Sequence, residues 1–300
     1  MYDLIIVGAG QAGITASIYA ARKRMNFLVI TKDLGGQTIL SAKVENYTGY
    51  QFIPGTELVD KFREHLEQFK IELKEGERVT LVKKDKDILK IETEKGKYET
   101  KTAVVASGRI PRKLGVEGED EFKNRGVTYC ATCDAPLFAD MEVAVIGGGK
   151  AALDAVLQLI KIARKVYLMD IAPQLRADPI MVEKTKKSEK VTIYNNTKVD
   201  KIYGDKFVRG MRISRQGKSE DLAVGGIFIE IGSLPATDFV PEVAKNEIGE
   251  IIVNCRCETN IPGLFAAGDV TNVPAKQIIV ACGEGAKASL SAFEYLSKKK

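Results

Sequence analysis

The stretch Val7-Gly-Ala-Gly-Gln-Ala-Gly13 decides how the start of this 300-residue chain folds. It follows a short apolar run, Asp3–Val7, and leads into Ile14–Arg22, which contains neither proline nor glycine. Another apolar run follows at Phe27–Ile30. Strand, glycine turn, helix and strand in this order predict a βαβ unit that holds the pyrophosphate of a dinucleotide at the start of its helix.

The same pattern occurs again in the middle of the chain. The run Glu142–Ile146 ends in Gly147-Gly-Gly149, a helix is predicted over Leu153–Ile162, and the next strand over Val166–Asp170. Each copy later ends a buried strand with a Gly-x-x-Pro sequence. These exits are Gly108–Pro111 and Gly232–Pro235. One glycine motif is a weak signal. Two copies, each followed later by a strand that ends in Gly-x-x-Pro, predict two nucleotide-binding domains.

The C-terminal segment completes the first domain. Gly263–Asp269 is an apolar run that ends in a Gly-Asp turn, where an acid can meet a ribose or ribitol hydroxyl. Gln277–Val280 and Gly283–Leu290 follow the pattern of an amphipathic helix. We therefore expect an α/β protein with two three-layer ββα Rossmann-like domains, residues 113–237 being inserted into a discontinuous domain of residues 1–112 and 238–300. The two crossings between the domains predict a hinge.

Composition excludes several classes of protein. No apolar run reaches the roughly 18 residues of a membrane span, and Met1-Tyr2-Asp3 lacks the basic region of a signal peptide. Five cysteines in a chain of this length do not suit a secreted disulfide scaffold, so a cytoplasmic location is expected. The net charge is only +5, and the lysines at 184–190 and 298–300 lack interleaved aromatic residues. Neither a membrane nor a nucleic acid is expected as a partner.

A thiol pair lies just before the second glycine turn, in Cys130-Ala-Thr-Cys133-Asp134. The spacing lets the two sulfurs meet, and a thiolate is the nucleophile of disulfide exchange. A structural disulfide and half of a zinc site are the alternatives. Cys255-Arg-Cys257 also raises a zinc hypothesis, but a strand with both thiols on one face is expected there, and no metal. Cys282 is expected to pack in the C-terminal helix.

The only histidine in the sequence, His65, is a weak candidate for catalysis. It lies at the edge of an apolar stripe in a helix predicted over Gly55–Phe69, and is expected to be an ordinary surface or boundary residue. A mechanism that needs a proton donor therefore favours Asp134, whose carboxyl would act near neutral pH if burial raised its pKa.

The whole chain resembles the low-molecular-weight thioredoxin reductases. The stretches that carry this resemblance are Gly35-Gly36-Gln37, Val44–Gly49, Cys130–Asp134, and Gly268-Asp269 with Lys276-Gln277. From Leu168 onward the sequence is most similar to the flavoprotein component of alkyl hydroperoxide reductase. Ala172–Asp178 and Gly283–Ser291 carry that similarity. That component normally has an additional thioredoxin-like region, which this sequence does not contain, so a separate small redox protein is expected to receive the electrons.

The resemblance implies a homodimeric flavoprotein that passes electrons from a nicotinamide through FAD to a disulfide. Residues 1–112 and 238–300 would bind FAD, and residues 113–237 would bind NAD(P) and carry the thiols. Cys133 would face the flavin, Cys130 would attack the disulfide of the partner, and Asp134 would protonate the departing thiolate or the reduced flavin. The residues expected to contact FAD are Gly8, Gly10, Gln11, Ala12, Gly13, Gly35, Gly36, Gln37, Asn46, Ser107, Gly108, Gly268, Asp269, Lys276 and Gln277. Those expected to contact the nicotinamide cofactor are Gly147, Gly149, Lys150, Ala151 and Asp170.

Asp170 indicates which nicotinamide cofactor is used. It stands about twenty residues beyond the second glycine turn, where an acid accepts hydrogen bonds from the ribose hydroxyls. Two like charges about 4 Å apart repel by on the order of 1–4 kcal/mol at effective dielectrics of 80 to 20, so a carboxylate there disfavours a 2′-phosphate. The first cation after it, Arg176, lies six residues further along the chain. NADH is therefore expected, with NADPH as the less favoured alternative.

The leading hypothesis is a reductase for a small thioredoxin- or glutaredoxin-like protein, which could supply a peroxiredoxin. Lys150 and Asp154 depart from the polar residue and glutamate common in the family, which leaves open a donor such as a ferredoxin or a deazaflavin. In the first domain Asp33 is the candidate acid after the second strand, although it is displaced by Thr31 and Lys32. A non-catalytic flavin or nucleotide sensor is the third hypothesis, which the intact thiol motif disfavours.

Overall fold

The computed structural model describes residues 1–41 and 44–298, without the side chains of Leu40 and Cys133. The strands, in chain order, are β1 (Tyr2–Ala9), β2 (Phe27–Leu34), β3 (Glu72–Glu75), β4 (Val79–Asp85), β5 (Ile88–Thr93), β6 (Lys97–Val105), β7 (Arg109–Pro111), β8 (Val127–Thr128), β9 (Glu142–Ile146), β10 (Lys165–Met169), β11 (Val191–Tyr194), β12 (Thr197–Gly204), β13 (Val208–Arg215), β14 (Lys218–Ala223), β15 (Gly226–Ile229), β16 (Ser233–Pro235) and β17 (Leu264–Ala266). The helices are α1 (Gln11–Arg22), α2 (Gly55–Glu67), α3 (Ala131–Asp134), α4 (Lys150–Leu159), α5 (Pro179–Lys187) and α6 (Ile278–Lys298). Of the predicted lysine tail at 298–300, only Lys298 belongs to the described residues.

The chain divides into two compact units. The first unit comprises Met1–Ile110 and Leu234–Lys300, and the second comprises Pro111–Ser233. The two segments that connect them, β7 and β16, pair as a two-stranded sheet.

The first unit is built on a seven-stranded sheet with the order β3-β2-β1-β6-β5-β4, in which β17 also pairs with β6. Strands β1, β2, β3, β6 and β17 are parallel, whereas β4, β5 and the start of β6 are antiparallel. Alternate residues of β1 enter two cores. Leu4 and Ile6 pack with α1 and α6, whereas Ile5 and Val7 pack with β4 and β5. This alternation produces three layers, because successive side chains of a strand point to opposite faces.

The second unit repeats this design. A five-stranded parallel sheet has the order β11-β10-β9-β15-β8, and β12, β13 and β14 form an antiparallel sheet. Val143 and Val145 pack with α4, whereas Ala144 and Ile146 pack with the antiparallel strands. The predicted α/β fold with a doubled ββα design is confirmed in each unit.

Helix boundaries differ slightly from the prediction. Helices α1 and α4 begin at Gln11 and Lys150, directly after Gly10 and Gly149, and α4 ends at Leu159. The glycines act as N-caps, so the polar residues that follow them belong to the helices. Within the described residues, no helix is both long and apolar enough to cross a membrane.

Candidate functional site

The first glycine turn joins β1 to α1 and presents bare backbone at the start of that helix. Gly8 has φ +102°, and a Cβ there would lie 2.4 Å from the carbonyl oxygen of Ala106. A Cβ on Gly13 would lie 1.9 Å from the oxygen of Gly8, whereas one on Gly10 would approach only the Cα of Gly36, at 4.0 Å. Gly10 caps α1 without a side-chain hydrogen bond. The first N–H groups of α1 therefore lack a side-chain cap, and an anionic ligand can bind there.

Residues distant in sequence meet at this turn. The Nε2 of Gln11 donates a hydrogen bond to the carbonyl oxygen of Gly35, at 3.1 Å. A Cβ on Gly268 would lie 2.9 Å from the Cβ of Ala12, so the Gly-Asp turn after β17 lies against the start of α1. The structure thus places three of the predicted flavin-contacting stretches in one location.

A cluster of charged side chains continues this region. Glu250 is buried, and its Oε1 lies 2.9 Å from Nη1 of Arg109 and 3.0 Å from Nζ of Lys276. The carbonyl oxygen of Arg109 accepts a hydrogen bond from Nε2 of Gln37, at 2.6 Å. Burial raises the pKa of the Asp269 carboxyl, while Lys276 and Arg109 act in the opposite direction. Among the described residues, the Asp269 carboxylate has no hydrogen-bond partner, which suits a carboxylate that receives a ligand hydroxyl.

Three further predicted contacts occupy definite positions. The Nδ2 of Asn46 donates to Oε1 of Gln277, at 2.8 Å. Ser107 Oγ donates to the carbonyl oxygen of Ala236, at 2.7 Å, and Gly108 accepts from the N–H of that same residue, at 3.0 Å. Asp33 is exposed after the buried part of β2. Its role as a ribose-binding acid stays a prediction.

The second glycine turn joins β9 to α4 and is more tightly constrained. A Cβ on Gly147 would lie 2.3 Å from the carbonyl oxygen of Glu230. A Cβ on Gly148 would lie 1.9 Å from Oδ2 of Asp170, so the Asp170 carboxylate occupies the space that any side chain would need. Within the described residues, nothing lies within 4 Å of a Cβ built on Gly149. Gly149 caps α4 without a side-chain hydrogen bond, which leaves an open approach to the start of that helix.

Asp170 directly follows β10 and is paired with an arginine. Only 5% of it is exposed, and its Oδ2 lies 3.2 Å from Nη2 of Arg176, whose side chain is 64% exposed. The N–H of Arg176 donates to the carbonyl oxygen of Gly148, at 2.6 Å. Arg176 thus lies beside Asp170 despite their separation of six residues in the sequence, because the chain after β10 folds back onto the glycine turn. Lys150 and Asp154 form an exposed ion pair of 2.7 Å on α4, and Ala151 is exposed beside them.

The thiol motif begins two residues after β8 with Cys130, and its remaining residues, Ala131–Asp134, form α3. Cys130 is half-buried and disulfide-bonded, whereas the side chain of its predicted partner, Cys133, is outside the described part of the structure. The hydroxyl of Thr128 donates to Oδ2 of Asp134 and accepts from the N–H of Cys130, at 3.1 Å. Thr132 Oγ1 donates to Oε1 of a residue on α4, Gln158, at 3.1 Å. Threonine side chains thus fix both the acid and the helix that follows Cys130.

The thiol motif, the second glycine turn and Asp170 lie at one edge of the five-stranded parallel sheet of the second unit. Because β8, β15, β9 and β10 are parallel neighbours, their carboxyl ends are aligned. Glu230, Gly147 and Asp170 directly follow β15, β9 and β10, and Cys130 is the second residue after β8. The carboxyl edge of an open α/β sheet is where such folds bind ligands.

Glu230 was not identified from the sequence. It is half-buried after β15, and its carboxylate lies close to the backbone N–H of Ala131, the residue after Cys130, which acts to lower its pKa. Burial raises the pKa of this carboxyl to about 7, with a smaller contribution from the negative charge of Asp154. An acid at the end of the apolar run Ile227–Ile231 was the available signal.

Replacement of Glu230 by glutamine should change how stability depends on pH. The pKa of this carboxyl rises from its ordinary 4.5 to about 7 on folding, so the unfolded chain ionises first as pH increases. Wild-type stability therefore falls between these two values, by on the order of 3 kcal/mol. We expect the Tm of Glu230→Gln minus that of wild type to increase from about pH 4.5 to about pH 8. Glu220→Gln, on the exposed face of β14, is the control, and a difference that does not vary with pH would contradict the assignment.

The second cysteine pair differs from its prediction. Cys255 and Cys257 lie in a turn, not on a strand, because Asn254 accepts through Oδ1 from the N–H groups of Arg256 and Glu258. Cys255 is exposed and Cys257 is buried, with φ +62°. The thiols therefore do not share a face. The described residues contain no group of three or more His, Cys, Asp or Glu side chains placed to hold a metal.

Two minor predictions agree with the structure. Cys282 is a buried free cysteine in α6. His65 is exposed on α2, near the ring of Phe69, while Leu58 and Leu66 of the same helix are buried. The histidine is thus outside both glycine turns and the thiol motif in sequence, and it contributes to none of the contacts described above.

Comparisons with known proteins agree with this geometry. The sequence profile of the family described as pyridine nucleotide-disulphide oxidoreductase matches residues 2–285. The F component of alkyl hydroperoxide reductase in Staphylococcus aureus (strain MSSA476) is 38% identical over 299 residues, which cover 98% of this chain and 59% of the relative. The chain thus spans less than two thirds of that relative.

Solved structures show the same fold over nearly the whole chain. The structure of Lactococcus lactis thioredoxin reductase (FR conformation) has a TM-score of 0.89 and 37% identity, covering 99% of this chain and 100% of that one. T. acidophilum thioredoxin reductase has a TM-score of 0.86 and 34% identity, covering 100% and 99% respectively. With two glycine turns and a disulfide-bonded Cys130 on the matching fold, the chain belongs to the pyridine nucleotide-disulphide oxidoreductase family.

Proposed function

We propose that this protein carries electrons from NADH, through FAD and the Cys130/Cys133 pair, to the disulfide of a small thioredoxin- or glutaredoxin-like protein. The observation that carries the proposal is the shared sheet edge of the second unit. There the disulfide-bonded Cys130 lies two residues after β8, while the glycine turn and Asp170 directly follow β9 and β10. A binding turn for a dinucleotide and a redox-active thiol on one edge suit a disulfide reductase better than a sensor.

The first unit suits FAD as its cofactor. The turn around Gly10 leaves room for a pyrophosphate at the start of α1, and the Asp269 carboxylate can receive a hydroxyl of the ligand. Lys276 and Gln277, next to α6, supply a positive charge and an amide in the same unit. Bound FAD would accept a hydride from the nicotinamide and pass two electrons to the disulfide.

In the second unit the residues of this chain perform the exchange with the partner. The thiolate of Cys130 would attack one sulfur of the partner disulfide, and the motif's other cysteine would then release the reduced partner by closing the intramolecular disulfide. Asp134, held by Thr128, is placed in the same helix to give a proton to the departing thiolate. Because Asp134 would supply the proton, the proposed exchange does not require a histidine.

NADH is the proposed donor because Asp170 is buried against the glycine turn. Its carboxylate lies against Gly148 in the glycine turn, where it would accept hydrogen bonds from the ribose hydroxyls of a bound nucleotide. Arg176 offsets part of the negative charge of Asp170. NADPH is therefore expected to be a poorer electron donor than NADH but still to be used. The Lys150–Asp154 ion pair reduces the charge that Asp154 contributes near the nucleotide.

The cellular location, the oligomeric state and the partner protein are proposed from the family. We infer a cytoplasmic homodimer whose partner is a thioredoxin- or glutaredoxin-like protein that supplies a peroxiredoxin. The similarity to the F component of alkyl hydroperoxide reductase supports the peroxiredoxin link. The matched thioredoxin reductases support a separate small protein as the electron acceptor.

An anaerobic experiment tests the proposal. The purified protein, reconstituted with FAD, should lose its yellow colour when NADH is added, and should regain it on addition of an oxidised thioredoxin- or glutaredoxin-like protein. New thiols on the added protein, measured with a thiol reagent, should match the NADH consumed. If neither NADH nor NADPH bleaches the flavin but a reduced ferredoxin or deazaflavin does, the alternative donor replaces NADH.

Replacement of Gly149 by alanine should weaken NADH binding without affecting FAD. Gly149 has φ −95°, and a Cβ there meets nothing in the described protein within 4 Å, so the added methyl group obstructs only a ligand. We expect the KM for NADH to rise about tenfold or more, equivalent to about 1.4 kcal/mol, with a stability change below about 1 kcal/mol.

Gly10→Ala is the matched control for this prediction. Gly10 holds the same N-cap position in the first unit, so its replacement should lower FAD retention and leave the affinity of the second unit for NADH unchanged. Steady-state kinetics and flavin content measure both effects. An unaltered KM for NADH in Gly149→Ala would exclude the second glycine turn as the binding site.

A further inference from the structure

Glu230 is a titratable side chain that the proposed electron transfer does not use. It follows β15, between the strand that leads to the thiol motif and the strand that leads to the second glycine turn. Its N–H donates to the carbonyl oxygen of Ile146, at 2.8 Å, and its own carbonyl lies against Gly147. These backbone contacts fix the residue at the shared sheet edge.

The side chain of Glu230 lies beside the thiol motif. β15 pairs with β8 so that Phe228 lies beside Thr128, and the Glu230 carboxylate lies close enough to the backbone N–H of Ala131, the residue that follows Cys130, for that N–H to lower its pKa. Ala131 is itself buried, and Cys130 is half-buried. A carboxylate in this position is screened poorly by water from any charge that forms on the Cys130 sulfur.

The other charged groups on the surrounding elements have partners of their own. On α4, Asp154 is paired with Lys150 at 2.7 Å and raises the pKa of Glu230 through its negative charge. On α3, Asp134 accepts a hydrogen bond from the hydroxyl of Thr128. Among the described residues no cation acts on the Glu230 carboxyl, so this carboxyl can take up a proton when negative charge forms on the adjacent sulfur.

We propose that Glu230 takes up one of the two protons that accompany reduction of the Cys130 disulfide, and releases it when the dithiol is reoxidised. The inference rests on the proposed function, because it requires Cys130 to cycle between disulfide and thiol. Glu230 acts through Cys130 and does not touch the partner protein. It is a store for a proton beside the thiols, distinct from the donor role of Asp134.

The electrons and protons balance in both directions. Reduction breaks the Cys130 disulfide with two electrons from the reduced flavin, leaving one thiol and one thiolate, and the second proton goes to Glu230. Because the thiolate is negative, it favours the neutral form of the adjacent carboxyl. On reoxidation Cys130 bonds to a sulfur of the partner, whose disulfide breaks, and the motif's second sulfur then displaces the reduced partner. The thiol and Glu230 release the two protons that the partner's thiolates take up through solvent.

Infrared difference spectroscopy of the holoenzyme tests the assignment. The protein carries isotope-labelled glutamate, and its spectrum is recorded before and after reduction by dithiothreitol, which does not depend on NADH. At about pH 8 a band of a protonated glutamate carboxyl should appear on reduction, and at about pH 5 it should not, since Glu230 is then protonated in both states. Labelling keeps the bands of Asp134 and Asp154 at unlabelled frequencies.

Variants identify the residue that gives the band. It should be absent from Glu230→Gln and from Glu230→Asp, and from Cys130→Ser, which cannot form the disulfide. It should persist in Glu220→Gln, an exposed residue of β14. The equilibrium constant for exchange with a reference dithiol should depend on pH less steeply in Glu230→Gln, by about tenfold over the neutral range for a coupling of one pKa unit.

The outcomes separate this proposal from the proposed function. If wild type forms a dithiol with dithiothreitol but no protonated glutamate band appears at about pH 8, or the band persists in Glu230→Gln, the proton store is refuted while the reductase stands. If dithiothreitol produces the band but NADH never reduces the flavin, the donor assignment fails and the proton store stands. Absence of the band from wild type refutes the proton store without any variant, and Glu230→Asp takes the place of Glu230→Gln if that variant does not fold.

Discussion

Cys130→Ser should lower the turnover of a thioredoxin-like disulfide by roughly a thousandfold or more, because it removes the nucleophile. Reduction of the flavin by NADH should continue, since the glycine turns and Asp170 are unchanged. Steady-state disulfide reduction and anaerobic flavin bleaching, measured on the same preparation, separate the two half-reactions. A sensor would have no disulfide turnover to lose.

Cys255→Ser is the matched control for this variant. Cys255 is an exposed free cysteine of the first unit, and its substitution should leave both half-reactions unchanged. Disulfide turnover above a tenth of the wild-type rate in Cys130→Ser would show that the exchange takes place at another thiol.

The second large effect concerns the choice of nucleotide. We expect kcat/KM for NADH to exceed that for NADPH by roughly five-fold to several-hundred-fold, which corresponds to like-charge repulsion of about 1–4 kcal/mol at Asp170. Asp170→Asn should reduce this ratio because it removes the repulsion. Arg176→Gln should increase it, because the guanidinium that lies 3.2 Å from Asp170 is the cation available to a 2′-phosphate there.

A second ion pair of the same unit serves as the control. Arg212 and Asp221 pair at 3.0 Å on β13 and β14, in the antiparallel sheet, so Arg212→Gln should leave the nucleotide ratio unchanged. The ratio follows from initial rates with each nucleotide at limiting concentration. Equal or higher efficiency with NADPH would refute the role given to Asp170.

The sequence was sufficient for the fold where local pattern and tertiary structure agree. Glycine-terminated apolar runs at Gly8 and Gly147 predicted the βαβ units because a tight turn, a close backbone approach and an uncapped helix start all require that pattern. The position of Asp170 after its strand could be predicted for the same reason. Its burial against Gly148 could not, since that contact depends on how the chain returns after β10.

Three features depended on contacts that no local pattern encodes. Arg176 reaches Asp170 because the segment between them turns back on itself, which sequence separation conceals. The turn at Cys255–Cys257 is stabilised by the side chain of Asn254, which competes with extended structure. Glu230 lies in an otherwise apolar run, and only the pairing of β15 with β8 brings it next to Ala131 of the thiol motif.

The central claim is that hydride from a nicotinamide reaches the Cys130 disulfide through the flavin, and an anaerobic titration with NADH tests it most directly. Wild type should consume about two equivalents of NADH per flavin, since the flavin and the disulfide each accept two electrons, whereas Cys130→Ser should consume about one. Reductive titration to a single equivalent in both proteins, with Cys130 still oxidised at the end, would contradict the claim.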